Sequence, residues 1–166
     1  MNRLVTQTHA ALEILCRGHA AALKVLVGEA PPPTVEQIAE IIGCFRKHKW
    51  LEILGTRVSI SSMEMPAEQT YVMAEAYNVV IDQAGGWEHI QKVTKQYIKH
   101  NATYWYIFRD YLIWMDKIPC SRKGYVWQGD VLSKKYNYSL DHLRRIRKQV
   151  LRDLAKAVIG FDKTSE

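Results

Sequence analysis

The residues best suited to chemistry in this sequence are basic, and they are concentrated toward its C-terminal end. Between Lys117 and Lys156 there are eleven Lys or Arg residues and three acidic ones, a net charge of +8, whereas the other 126 residues carry −2 of the total +6. Such a concentration of positive charge favours a polyanionic partner, because each phosphate that is neutralised releases condensed counterions. A basic helix face that is merely solvated is the alternative explanation.

Metal binding has weaker support in the residue types. Cys44 and His48 stand four residues apart, and Cys16 and His19 three apart, but neither pair has a second pair that would complete a zinc site. Together with Cys120, the cysteines are an odd number, far apart in the sequence. We therefore predict reduced, buried thiols and no metal or cofactor.

Catalysis also lacks a recognisable arrangement. The motifs GxxxxGK[ST], HExxH and GxSxG are absent from the sequence. Asp110, Asp116 and Asp130 are the acids that would have to converge in a nuclease, but nothing in their spacing singles them out. The prediction is a protein that is not an enzyme.

The elements that must position the basic residues are all predicted to be helices, so the fold class is all-α. Apolar residues recur at helical spacing, and Gly and Pro residues separate the segments. Thr34 and Gln37 have the spacing of a capping box, and residues 57–62 form a loop in preference to a short strand. The predicted helices cover about residues 6–27, 34–54, 66–83, 87–100, 104–115, 128–136 and 139–159.

Two units are predicted along the chain. Residues 1–60 form an N-terminal helical segment for dimerisation or partner contact, and residues 66–166 form a helical domain that ends in the basic region. In the aromatic helix, one stripe is predicted to hold the two lobes together rather than to stack single-stranded bases. The stripe consists of Tyr104, Phe108, Tyr111 and Met115.

The sequence also bears on location. No apolar run reaches the roughly 18 residues needed to cross a bilayer. The N-terminal residues lack the apolar region and small-residue cleavage site of a signal peptide. We therefore expect a cytoplasmic protein that does not use a membrane.

Residues 128–159 have the pattern of a helix-turn-helix, in which two helices meet at a steep angle. Asn137 occupies the turn position usually held by Gly, and Asn is the next best residue for left-handed backbone. Tyr138 is predicted to pack beneath the turn, and Ser139 to cap the second helix through its hydroxyl. The residues predicted to meet between the helices are Leu132, Ser133, Tyr136, Leu143 and Ile146.

The same register predicts which side chains face DNA. Arg144 and Arg145 are expected to reach base edges, and Lys134, Lys135, Arg147 and Arg152 to contact phosphates. The full set of predicted nucleic-acid-binding residues is Arg122, Lys123, Lys134, Lys135, Ser139, Leu140, Asp141, Arg144, Arg145, Arg147, Lys148 and Arg152. An ordinary helical hairpin with a solvated basic face has the same pattern and stays open as an alternative.

From Ile107 to Gly160 the order of elements resembles that of phage late-transcription regulators of the RinA and ArpU type. The order is an aromatic helix, a basic linker, a short helix, a Tyr-Asn-Tyr-Ser turn and a long basic helix. Ser139 and Leu154-Ala155 match the start and the end of the final helix of that family. Ser133 stands where Ala is commoner, and Asn137 where Gly is.

The resemblance implies a helix-turn-helix similar to that of sigma-factor region 4, and a role in phage or prophage transcription. We expect a sequence-specific regulator that binds double-stranded DNA, an activator or antiterminator acting with RNA polymerase or a sigma factor, and a homodimer. Two alternatives remain. One is a small terminase-like DNA-packaging protein, and the other is a phage protein that inhibits a host enzyme.

Overall fold

A computed structural model describes residues 3–43, 67–117 and 131–160. All regular structure within these ranges is helical, which confirms the all-α prediction. None of the described helices is both long enough and apolar enough to cross a membrane. The elements are α1 (Arg3–Leu15), a 3-10 turn (Cys16–Gly18), α2 (Ala20–Leu26), α3 (Val35–Gly43), α4 (Ala67–Gln83), α5 (Gly86–His100), α6 (Ala102–Lys117), α7 (residues 131–136) and α8 (Leu140–Ile159).

Several helix ends follow from their local sequence, as predicted. The Gln37 backbone N–H donates to Thr34 Oγ1 at 3.2 Å, and the Thr34 backbone N–H donates to Gln37 Oε1 at 2.9 Å. This is the predicted capping box at the start of α3. Gly85 and Gly86 have φ values of 110° and 86°, and Gly160 ends α8 with φ 75°. These left-handed conformations suit glycine, which has no Cβ.

The first predicted helix, residues 6–27, is wrong as a single element. The helix ends at Leu15, a 3-10 turn follows, and His19 has φ 52° and ψ −117°. The break has a packing reason: α1 lies against α4 and α8, whereas α2 packs on α5 and α6. A straight helix cannot place both apolar faces on these different neighbours, although the apolar spacing continues through the break.

The core is shared between the beginning and the end of the chain. Ala10, Ala11, Leu12 and Ile14 of α1 are fully buried, and α1 contacts both α4 and α8. Buried residues before position 44 and after position 66 belong to one hydrophobic cluster. Within the described ranges, the predicted units 1–60 and 66–166 therefore share a core rather than each having its own.

The aromatic helix α6 belongs to this core, as predicted, but its buried stripe is shifted. Phe108 and Tyr111 are buried, whereas Tyr104 is 44% exposed. Trp105 takes the inner position instead, with its ring 5.3 Å from that of Phe108. Because Trp105 and Phe108 are three residues apart, they share a helix face, and Tyr104 lies beside that face.

Several predicted features lie outside the described residues. They are the second half of the helix predicted over 34–54, the loop at 57–62, the start of the helix predicted over 128–136, Cys44, His48, Cys120, Arg122, Lys123 and Asp130.

Candidate nucleic-acid interface

The connection between α7 and α8 is closed by a left-handed residue, as the sequence predicts. Asn137 has φ 56°. The Tyr138 backbone N–H donates to the Ser133 carbonyl at 3.2 Å, and the Ser133 hydroxyl donates to the Tyr138 carbonyl. The backbone bond spans six residues, as in a Schellman helix end. Ser133 therefore fastens the turn through both its carbonyl and its hydroxyl.

The start of α8 is capped by Ser139, which is also confirmed. Ser139 is extended, with φ −62° and ψ 156°, and its hydroxyl accepts from the His142 backbone N–H at 3.2 Å. The prediction for Tyr138 is wrong: this side chain is 42% exposed and does not pack beneath the turn. Its ring instead lies edge-on to that of His142, with centroids 4.5 Å apart.

The turn supports a stability prediction. Ser139→Ala should lower the free energy of unfolding by about 1 kcal/mol, because the His142 N–H loses its acceptor. Asn137→Val should cost about 1–2 kcal/mol, because a β-branched side chain is strained at positive φ. Urea denaturation measures both values. Ser139→Thr and Asn137→Gly are the matched controls and should stay close to wild type. A Ser139→Ala protein as stable as wild type would contradict the prediction.

The predicted apolar residues anchor the bend, which is the connection between α7 and α8, to the hydrophobic core. Leu132 of α7 and Leu143 and Ile146 of α8 are buried in the common core. Tyr136 is partly buried against it, and its hydroxyl donates to Asp110 of α6. Leu140, predicted to face outward, is also partly buried. These contacts fix α7 and α8 to the rest of the molecule.

The opposite side of α8 is cationic. Arg145, Lys148 and Arg152 are exposed and recur at the three- and four-residue spacing of one helix face. We call these three residues the basic face. None of them has an ion-pair partner among the described residues. Lys134 of α7 is exposed as well. Exposed cations of this kind are available to an anionic partner.

Two other predicted cations form ion pairs at the surface. Arg144 Nη1 donates to Asp141 Oδ1 at 3.2 Å, one turn earlier on α8. Lys135 Nζ donates to Asp110 Oδ2 at 2.6 Å and so joins α7 to α6. The Arg144–Asp141 pair is exposed on both sides and is therefore weak, whereas the Asp110 side chain is only 13% exposed.

Arg147 is oriented inward, which differs from its predicted contact with phosphate. Its side chain is 15% exposed, and Nη2 donates to Oε2 of Glu13 at 3.0 Å. Glu13 of α1 is only 4% exposed, so its carboxylate requires a cation at this place. The ion pair joins α1 to α8 and takes Arg147 out of the exposed set.

Asp110 joins α6 to α7. Burial would raise the pKa of Asp110, but hydrogen bonds from Lys135 and Tyr136 and the charges of Lys135 and Arg109 outweigh it, so the pKa lies below its usual value. Burial and the bond to Asp110 raise the pKa of Tyr136 to about 12, so its hydroxyl stays protonated and donates. The first helix of the bend is thus fixed by charge as well as by apolar packing.

Two residues that were not among the predicted binding residues belong to this region. Arg17 and His19, from the break between α1 and α2, line a cavity together with Arg144, Arg147 and Lys148 of α8. More than 120 positions separate the two groups in the sequence, and no local pattern brings them together. In the sequence, His19 stands out only through its spacing from Cys16, and that pair lacks the second pair that a zinc site needs.

Cys16 is buried, as predicted for a packed thiol. Burial raises its pKa to about 12, so the thiol is neutral. Among residues 3–43, 67–117 and 131–160, no three His, Cys, Asp or Glu side chains are placed to hold a metal ion. Comparison with family models, curated proteins and solved structures finds no match to this chain.

Proposed function

We propose that the protein is a sequence-specific DNA-binding transcription regulator and that residues 128–159 act as its helix-turn-helix. One observation carries the proposal. A left-handed turn at Asn137 leads into a Ser139-capped helix that is buried on one side and carries the basic face on the other. This is the division of roles that a recognition helix requires.

The geometry suggests how the helix would be used. An α-helix with its side chains is about 10–12 Å across, which matches a major groove about 12 Å wide. Arg145, near the start of α8, would reach base edges, with Arg144 and Asp141 beside it. Lys148, Arg152 and Lys134 would contact phosphates, which position the protein without reading sequence. Arg147 would support this surface through Glu13 rather than bind DNA.

The biological setting of the proposal comes from the resemblance of residues 107–160 to phage late-transcription regulators. On that basis the protein would activate transcription or act as an antiterminator, with RNA polymerase or a sigma factor as its protein partner. The cap Ser139, which matches the family, and Asn137, which stands where the family usually has Gly, have the backbone conformations that a helix-turn-helix needs. A homodimer would place two such helices on paired half-sites.

Loss of the basic face tests the proposal. DNA ligands are first selected from a random library, and binding is then measured by fluorescence anisotropy over a range of salt concentrations. Arg145→Ala with Lys148→Ala should weaken binding at least tenfold, since one specific Arg contact is worth about 1–3 kcal/mol. The slope of log K against log salt should fall by about 0.9 for each phosphate that the variant no longer neutralises.

A matched control separates specific contacts from net charge. Lys92 and Lys99 are exposed on α5. Lys92→Ala with Lys99→Ala also removes two positive charges, but from a different helix. This control should bind selected DNA as wild type does. If both double variants bind equally well, or if the wild type shows no salt dependence, α8 is not the recognition helix.

The second candidate is a small terminase-like packaging protein, and an apolar surface on α4 favours it. Tyr71, Val72 and Val79 are exposed on this helix. Exposed apolar residues grouped together mark interaction surfaces. The mass of the protein in solution distinguishes the candidates: a ring of about eight or more subunits supports packaging, whereas a monomer or dimer supports regulation.

A further inference from the structure

A small cavity lies where the break between α1 and α2 meets α6 and α8. Its volume is about 160 Å³. One water molecule needs only about 10–15 Å³ of such space, so the cavity has room for several non-hydrogen atoms. A phosphate group fits a space of this size.

The lining is strongly cationic. Arg17, Arg144, Arg147 and Lys148 all face the cavity together with His19, and none of the described residues that line it is acidic. Glu13 pairs with Arg147 from behind, and Asp141 pairs with Arg144 from the surface. The charge of Asp116 also acts on His19. The four cations still outnumber these three acids, and an anion inside the cavity offsets the repulsion that remains.

The remaining wall of the cavity is apolar. Tyr111, Leu112 and Met115 of α6 form it, and Tyr111 and Leu112 are largely buried. An apolar wall lowers the local dielectric constant and so strengthens the attraction between an anion and the cations opposite. Arg side chains in particular match phosphate oxygens through two parallel N–H donors.

The backbone beside the cavity is strained. His19 has φ 52° and ψ −117°, a conformation that side chains other than glycine rarely adopt. Strain of this kind persists where surrounding structure fixes it, and it is concentrated at binding sites. Here it turns the chain so that Arg17 and His19 line the same cavity as α8.

We propose that this cavity is a phosphate-binding site, in which Arg17, Arg144 and Lys148 hold the phosphate oxygens and Arg147 is fixed in place by Glu13. The ligand is a phosphate group, either a free phosphoryl compound or one phosphodiester of bound nucleic acid. The proposal does not depend on the DNA-binding function, because free phosphate tests it without DNA.

The test is isothermal titration of the full chain with inorganic phosphate in a chloride buffer. Wild type should bind, and Arg17→Gln and Arg144→Gln should each weaken binding about tenfold or more. Lys99→Gln, which removes one charge on α5, should bind phosphate as wild type does. Arg17 is exposed and Arg144 is partly exposed, and thermal melts establish that each variant is folded. Absence of binding by wild type, or equal binding by all three variants, overturns the proposal.

A second arm identifies the source of the phosphate. DNA affinity of Arg17→Gln is measured beside its affinity for free phosphate. If both affinities fall, the cavity holds a phosphodiester of the DNA backbone. If only the affinity for free phosphate falls, the ligand is a small phosphoryl compound. If the protein binds no DNA at all, the proposed function fails while the titration with phosphate still decides whether the cavity is a site.

Discussion

Replacing Glu13 with Ala should lower the free energy of unfolding by about 3–5 kcal/mol, because it leaves the Arg147 guanidinium buried without its partner. Arg147 Nη2 lies 3.0 Å from Glu13 Oε2, and the side chains of Glu13 and Arg147 are 4% and 15% exposed. His9 Nε2 also lies 3.7 Å from Glu13 Oε1. Burial lowers the pKa of His9 despite the Glu13 charge, so His9 is predominantly neutral at neutral pH. Urea denaturation of wild type and Glu13→Ala at neutral pH measures the difference in their free energies of unfolding.

A double variant distinguishes the cost of an unpaired charge from the contribution of the pair itself. Glu13→Leu with Arg147→Met replaces both partners by apolar side chains of similar size. Such exchanges are often neutral or stabilising, so most of the lost stability should return. If Glu13→Ala alone costs less than about 1 kcal/mol, Arg147 is reaching solvent, and its place in the described interface would have to be revised.

The second large effect is expected at Asp110, which holds the first helix of the bend. Asp110→Ala should cost about 2–3 kcal/mol, because it removes the acceptor for Lys135 and Tyr136. Hydrogen bonds to charged groups are worth about 1.5–3 kcal/mol, and the exposure of Lys135 reduces its share. Calorimetric melting measures the loss. Asp110→Asn keeps one acceptor and should lose less.

The pH dependence supplies an independent check on the same interaction. The pKa of Asp110 is lower in the folded chain than in the unfolded one. The ionised Asp110 carboxylate therefore stabilises the fold at pH values above its pKa in the unfolded chain. This stabilisation is lost as the pH falls through its pKa in the folded chain. The Asp110→Ala variant should lack this part of the decrease in folding stability at low pH. An unchanged acid profile together with unchanged stability would show that Tyr136 and Lys135 do not depend on Asp110.

Local features of this fold were predictable because their causes lie within a few residues. Thr34 and Gln37 satisfy each other across one helical turn, and Asn137 and Ser139 set the bend through their own backbone and side chain. The buried anchor Leu143 followed from helical spacing alone. In each case the number of possible partners is small, so the residue type nearly decides the structure.

Long-range contacts were not predictable in the same way. The inward orientation of Arg147 depends on Glu13, which lies 134 positions earlier. The phosphate-sized cavity depends on a break at His19 that the apolar spacing does not reveal. The sequence predicts Tyr104 in the core, but Tyr104 is exposed, because a stripe of aromatic residues does not by itself say which of two adjacent faces turns inward.

The packing of α1 against α8 has a consequence for synthesis on the ribosome. Some 125 residues separate the end of α1 from the start of α8, so at about 5–20 residues per second the nascent chain carries α1 for roughly 6–25 s before α8 exists. During that time one apolar side of α1 is open to chaperones. A message truncated before α8 would release a chain in which the α8 side of the first helix is never covered, and quality-control proteases would encounter it in that form.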